Sequence, residues 1–298
     1  MLIGLRHVMT SCPSPNRDRF TRPADPPTAR LRRVFGLATA SRHAPLFRSL
    51  VRREIRQRYK ASAFGLLWTL INPAIMVGAY WFVFRFVFPT STNQPYALFL
   101  FVGLAIWAVF MAGSQAATSS LVANANLVTK VRFPREIVPL SAMTGQWFTA
   151  GAMFALAVPL CILFADGLSP ALLSVPPLLV LLGILTIGFS LLLASINVYF
   201  RDTEHILTAI SLPWFFLTPI FYSFDMLSSG GQHKEWAVKL LHYGNFLSPF
   251  FLSIRGAMFD GRWPTAGDTI YCITAAAVLF AVGLVVFRRL EREMAVEL

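Results

Sequence analysis

Six stretches of this sequence contain no Asp, Glu, Lys or Arg: Ala61–Phe84, Phe86–Thr129, Ile137–Ala165, Gly167–Phe200, His205–Phe224 and Thr269–Phe287. A helix needs about 20 residues to cross the hydrocarbon core of a bilayer, and each run reaches or nearly reaches that length. The second and fourth are long enough to hold a loop as well. A soluble chain would have to hide all six in a core whose helices average about 11–12 residues. Composition agrees with the membrane reading: 56 % of the 298 residues are hydrophobic and only 13 % are charged, against about 25 % charged in soluble domains. The runs imply an all-α integral membrane protein with six transmembrane helices. The spans fall at about 64–88, 97–120, 138–164, 174–199, 206–224 and 269–288, within a membrane domain covering 63–290.

The basic residues set the orientation. Of 26 Lys and Arg, 14 precede the first span, three lie at 130–135, one is Arg201 and three follow the last span. Only Lys234, Lys239, Arg255 and Arg262 fall on the opposite side, with Arg85 inside the first span. The positive-inside rule therefore puts both termini and the 124–137 segment in the cytoplasm, with residues 291–298 as a short cytoplasmic end. The net charge of +12 is largely this bias and calls for no nucleic-acid partner. Cys12, Cys161 and Cys272 fall in the tail and in two spans, a pattern of neither a disulfide framework nor a metal site. Residues 1–41, with "SCPSPNRDRFTRPADPP", are Pro- and Arg-rich and weakly apolar, which predicts a disordered tail.

Residues 42–62 predict an amphipathic helix at the cytoplasmic interface. In "LFRSLVRREIRQRYK", Phe47, Val51, Ile55 and Tyr59 form one stripe and Arg48, Arg52, Arg53, Arg56 and Lys60 surround it. Such a helix lies in the membrane interface, as an anchor or as a docking surface for a cytoplasmic partner. Asn72 and Pro73 predict a kink early in the first span, serving either a pathway or packing. The 225–268 stretch contains two short apolar pieces broken near Gly244 and Pro249, too short to span. They read as re-entrant or interfacial outer helices, or as a structured extracellular loop.

Chemistry for an energy source is missing. A P-loop ends in Gly-Lys-[Ser/Thr], and none of Lys60, Lys130, Lys234 and Lys239 follows glycine. An ion-coupled carrier would place acids or histidines within its spans, and the span interiors hold essentially none. A membrane enzyme of glycan assembly would need clustered carboxylates. The outer stretch offers only Asp225, Glu235, Asp260 and Asp268, without a clear motif. Energy must then arrive through a cytoplasmic partner. "NANLVTKVRFPRE" suits that task as a short coupling helix between two spans. Leu127, Val128, Val131 and Phe133 supply apolar surface, Lys130, Arg132, Arg135 and Glu136 surround it, and Pro134 closes the helix.

The stretches "REIRQRYKASAFGLLWTLINPAIM", "NANLVTKVRFPREIVPLSA", "INVYFRDTEHIL" and "NFLSPFFLSIRGAMF" together resemble the permease subunits of type 2 ABC transporters that export polysaccharides, the O-antigen, teichoic acid and capsule exporters. The resemblance covers about 50–260. It departs at Asn245-Phe246, where that family often has Asn-Pro, and it leaves the basic tail without a counterpart. It implies a homodimer in a bacterial inner membrane, with two separate ABC ATPase subunits that bind ATP and Mg, so that this chain is no enzyme and holds no cofactor. It further implies that 46–60 and 124–136 meet the ATPase, that two helices before the last span form an outer gate, and that the cargo is a glycan on undecaprenyl diphosphate. Arg52, Arg53, Glu54, Arg56, Arg58 and Tyr59 are then the candidate interface and headgroup set, since arginines bind phosphate by charge-assisted hydrogen bonds. Tyr80, Trp81, Phe84, Trp107, Phe215 and Tyr222 are candidates for a glycan-contacting lining. Asn197, Arg201 and Asp202 mark a cytoplasmic corner, where Arg201 pairs with Asp202 or else Asp202 or Thr203 caps the next helix. An ABC permease for a small lipid or drug, and a membrane enzyme of glycan assembly, stand as alternatives.

Overall fold

In the computed structural model the described residues are 37–59, 67–83, 86, 96–131, 133–164, 169–222, 235–291 and 293–297. The predicted tail therefore lies outside them up to residue 36. The chain divides into two units, Met1–Ala44 and Pro45–Leu298, and the second holds the membrane helices and every contact that follows. Among the described residues all regular structure is helical.

The helices are α1 (Leu37–Tyr59), α2 (Trp68–Phe82), α3 (Tyr96–Ala123), α4 (Ala125–Lys130), α5 (Ile137–Phe164), α6 (Val175–Tyr199), α7 (Asp202–Leu217), α8 (Glu235–Gly244), α9 (Ser248–Phe259), α10 (Ala266–Leu290) and the single turn α11 (Met294–Glu297). Four are long and apolar enough to cross a bilayer: α3, α5, α6 with its leading 3₁₀ turn from Pro170, and α10. These match the second, third, fourth and sixth predicted spans. Described α2 has 15 residues and α7 has 16, both shorter than a full crossing. Part of the predicted 64–88 span lies outside the described residues.

Local chemistry explains why α7 stops at Leu217. Pro219 restricts the residue before it to extended backbone, and Thr218 sits at φ −86°, ψ 140°. The Thr218 hydroxyl donates back to the Trp214 carbonyl at 2.8 Å, closing the last turn. The chain from Thr218 to Tyr222 is thus irregular yet buried from Thr218 to Phe221.

In lipid the apolar effect does not pull helices together, so packing rests on small residues and satisfied polar groups. Gly188 of α6 and Gly283 of α10 face each other so closely that a Cβ on either would run into the backbone of the other helix. Buried hydroxyls find partners within their own helix or across to a neighbour. Thr118 donates to the Ser114 carbonyl and Thr186 to that of Leu182, each at 2.7 Å, and Ser190 of α6 reaches the Ser114 hydroxyl of α3 at 3.4 Å. Inside α3, residues Ala108–Ala112 form a π-helical segment. The Trp147 indole of α5 donates to the Val109 carbonyl there at 3.0 Å, a partner from outside the helix at the point where its own ladder changes.

Two apolar cores result. The larger joins α3, α5, α6 and α9 around Leu100, Ile106, Phe110, Leu182, Phe250 and Phe251. The smaller sits where α3, α6 and α10 end and α5 begins, built from Leu121, Val128, Val138, Leu191, Ala194, Val198, Phe287 and Met294.

Candidate functional site

The smaller core is roofed by the segment that links α3 to α5. Asn124 ends α3, and its carbonyl accepts from the amides of Leu127 and Val128 to start α4. Val128 is buried, and Phe133 packs against the same core. Leu127 is half-buried, whereas Lys130 and Val131 are exposed. Of the predicted apolar surface, Val128 and Phe133 therefore turn into the core, Val131 is exposed and Leu127 stands half-buried between them. The helix also closes earlier than expected. Val131 is already extended at φ −120°, ψ 133°, so α4 ends at Lys130 and not at Pro134. Proline bars the helical conformation from the residue before it, so the turn has to end short of Phe133. Arg132 lies outside the described residues; Pro134, Arg135 and Glu136 are half-buried.

Helix α1 reaches this segment. Arg53 donates to the Asn124 side-chain oxygen, Leu50 is buried, and Glu54 packs beside Gly145 of α5. Arg53 also lies 3.9 Å from Glu54. Arg52 and Arg56 are exposed, while the side chains of Arg58 and Tyr59 lie outside the described set. The two stretches singled out as cytoplasmic contacts are thus neighbours in space.

The end of α10 completes the site, a connection that sequence reasoning does not make. Arg288 Nε lies 3.4 Å from Glu136 Oε1. Arg135 donates to the Glu291 carbonyl and the Tyr199 hydroxyl to that of Leu290 at 3.0 Å. These carbonyls close a helix C-terminus, where unpaired acceptors and negative dipole favour cationic donors. Burial pushes the Glu291 carboxyl above the usual glutamate range and Glu136 adds to the shift, against the opposing charge of Arg135.

At the neighbouring corner Asn197 is buried, donating to the Thr118 carbonyl at 3.0 Å and accepting from the Glu204 amide at 3.3 Å. It fills for α7 the role expected of Asp202 or Thr203, whose hydroxyl instead donates to the Phe200 carbonyl at 2.6 Å. Arg201 occupies the N-cap position without a side-chain cap, Arg201 and Asp202 are both exposed, and no ion pair joins them.

The aromatic candidates fall elsewhere. Tyr80, Trp81 and Phe84 have side chains outside the described set. Trp107 and Phe215 stack edge to face at 5.3 Å, with Phe215 buried. They belong to a packed cluster that also holds Phe110, Phe189, Trp214 and Phe246. Tyr222 is half-buried and donates to the Leu217 carbonyl at 3.2 Å. Of the described candidates, Trp107 and Phe215 meet in this cluster.

At the end opposite α4, two groups stand out that sequence reasoning misses. Arg255 of α9 is buried and donates to the carbonyls of Phe99 (3.1 Å), Ile220 (2.8 Å) and Pro219. Asp268 is held by His242 Nε2 at 2.7 Å and by the Thr265 hydroxyl at 2.8 Å. A single arginine inside the apolar stretch "SPFFLSIRGAMF" is the available signal for the first. Among the described residues no cluster of His, Cys, Asp or Glu can hold a metal ion.

Long apolar helices and a polar segment pinned beneath them define a multi-pass membrane protein. The chain belongs to the ABC-2 type transporter family, which matches residues 45–259. It is 31 % identical over 252 residues to the O-antigen export system permease protein RfbA of Myxococcus xanthus, covering 83 % of this chain and 93 % of that protein. It is 30 % identical over 251 residues to a protein of the same name from Klebsiella pneumoniae, covering 83 % and 92 % respectively.

Proposed function

We propose that this chain is the permease of an exporter that moves a polysaccharide on a lipid diphosphate, such as undecaprenyl diphosphate, from the inner to the outer leaflet of a bacterial inner membrane. Similarity to O-antigen export permeases over most of both chains supports the substrate class. Two copies form the membrane unit, with α2 and α7 completing six crossings per copy and both termini in the cytoplasm. Two ABC ATPase subunits bind ATP and Mg and drive the cycle.

The observation that carries this reading is the contact of Arg53 with Asn124, which joins α1 and α4 into one surface at the end where the basic residues gather. On it Lys130 and Val131 face outward with the exposed arginines of α1. A partner groove that accepts this surface pushes on α3 and α5 together, because α4 lies directly between them.

Val131→Asp and Leu127→Asp test the reading, since neither residue is in the buried core. A charge in a desolvated interface costs several kcal/mol. Expected are normal membrane levels, loss of ATPase co-purification and loss of surface polysaccharide. Variants that keep a bound ATPase and normal export refute the coupling role of α4.

A further inference from the structure

The residues that pin the α4 segment from behind belong to α10, and α10 is also the helix that holds α8 at the other end. At its C-terminal end Glu136 pairs with Arg288, Arg135 caps the Glu291 carbonyl, and the side chain of Met294 is fully buried beside Val128. The buried Nη2 of Arg288 has no hydrogen-bond partner among the described residues. Glu136 pairs with the guanidinium at 3.4 Å, and the Glu291 carboxyl also feels its charge. At its N-terminal end Asp268 holds His242 of α8 at 2.7 Å, and Tyr271 donates to the Tyr243 carbonyl at 2.6 Å. Helix α8 is in turn tied to α9 by Ser248, which donates to the Leu241 carbonyl at 2.8 Å. Between these ends α10 runs for 25 residues, about 37 Å at 1.5 Å per residue. The Gly188–Gly283 contact holds its middle against α6.

A continuous helix anchored by polar contacts at both ends cannot shift along its axis at one end alone without breaking them. We propose that the Glu136–Arg288 ion pair and the Arg135–Glu291 hydrogen bond make α10 a connecting rod that carries displacement of the α4 segment across the membrane to α8 and α9. This rests on the coupling reading above and adds to it. The movement then reaches the far side through the last span as well as through α3 and α5. Glu136 and Arg288 are positioning residues in this scheme: they touch neither nucleotide nor cargo.

The test uses the complete permease with its ATPase. Glu136→Arg and Arg288→Glu are made singly and together, and three quantities are read: ATPase co-purification, ATPase rate and surface polysaccharide. Arg288→Glu, which lies outside the segment expected to meet the ATPase, is expected to retain the ATPase at the wild-type ratio and to hydrolyse ATP, with export falling by roughly tenfold, within the usual range of coupling effects. Glu136→Arg is read for export alone, which should fall by as much. The double variant restores the pair with its charges exchanged and should recover export to within about twofold. Single variants that export normally, or a double variant no better than either single one, overturn the proposal. Loss of the ATPase from Arg288→Glu also overturns it, by making the pair part of the docking surface. Should a single variant fail to accumulate, the double variant still decides: recovered export upholds the rod, and export that stays low overturns it. Failure of the coupling reading itself shows separately, as ATPase retention with normal export in Val131→Asp.

Discussion

The guanidinium carbon of Arg255 lies 3.7 Å from the centre of the Phe99 ring, and the same guanidinium donates to the Phe99 carbonyl. One side chain thereby joins α9 to α3, and through Pro219 and Ile220 it also satisfies the irregular chain after α7. Backbone outside a helix survives at membrane depth only where protein groups replace its hydrogen bonds. Gly103 makes room for the arginine, since a Cβ there would meet the guanidinium.

Arg255→Met is expected to leave the non-helical carbonyls of Pro219 and Ile220 short of a donor, at about 1–3 kcal/mol for each buried group left unsatisfied. The thermal transition in detergent should fall clearly. Arg255→Lys should not restore it, because one ammonium cannot reproduce a planar fork over an aromatic face. A lysine variant as stable as wild type shows that the fork is dispensable.

Gly188→Ala and Gly283→Ala force α6 and α10 apart. Each is expected to cost about 1–3 kcal/mol, the usual range for overpacking. Gly78→Ala and Gly151→Ala are the controls, because a methyl at either meets nothing within 4 Å. In a helix such a change gains about 0.5–1 kcal/mol. Opposite signs for the two pairs in one thermal assay confirm close packing as the cause.

Phe246 stands where the resembled family often has proline, and its ring lies 5.2 Å from Trp214, 5.7 Å from Phe110 and 6.2 Å from Phe189. Phe246→Ala should destabilise the fold by about 3 kcal/mol. It should also shift tryptophan emission to the red as water reaches Trp214. Unchanged emission and stability would place the cluster's strength elsewhere.

Glu291→Gln tests the buried end of α10. The folded-state pKa of Glu291 is raised, so its neutral form is favoured and the stability it contributes is lost as pH rises above the ordinary value of 4.5. Glutamine stays neutral. The variant should therefore gain on wild type as pH rises through that window, when melting is followed from about pH 4 to about pH 8. A difference constant with pH means that the carboxyl is not shifted.

Charge-free length makes the long helices legible, because a bilayer imposes length and apolarity residue by residue. The amphipathic stripe of Phe47, Val51 and Ile55 is legible for the same kind of reason, and described α1 extends past it to Leu37. What escapes are relations between distant positions. Nothing local in "YFRD" says that Asn197 will cap α7, or that Phe133 will turn inward while Val131 turns out. Trp107 and Phe215 have the composition of a sugar-facing surface and of a packed core alike, and nothing in the sequence shows their 5.3 Å contact. By sequence Arg255 is one outer-side cation among four, because a sequence does not show that the carbonyls of Phe99, Pro219 and Ile220 converge on it.

The π-helical segment at Ala108–Ala112 gives α3 one residue more than a plain α-helix of the same hydrogen-bonded length would contain. In terms of insertion and deletion, α3 carries a spare residue at that point. Removing one alanine there lets the helix close to ordinary α geometry with both ends in register: Phe99 stays under Arg255, and Asn124 stays beside Arg53. Removing one residue from α6 instead rotates everything beyond it by about 100° and takes Gly188 away from Gly283. Length variation among relatives of this chain should therefore collect in the middle of α3, deep in the membrane, as well as in the loops.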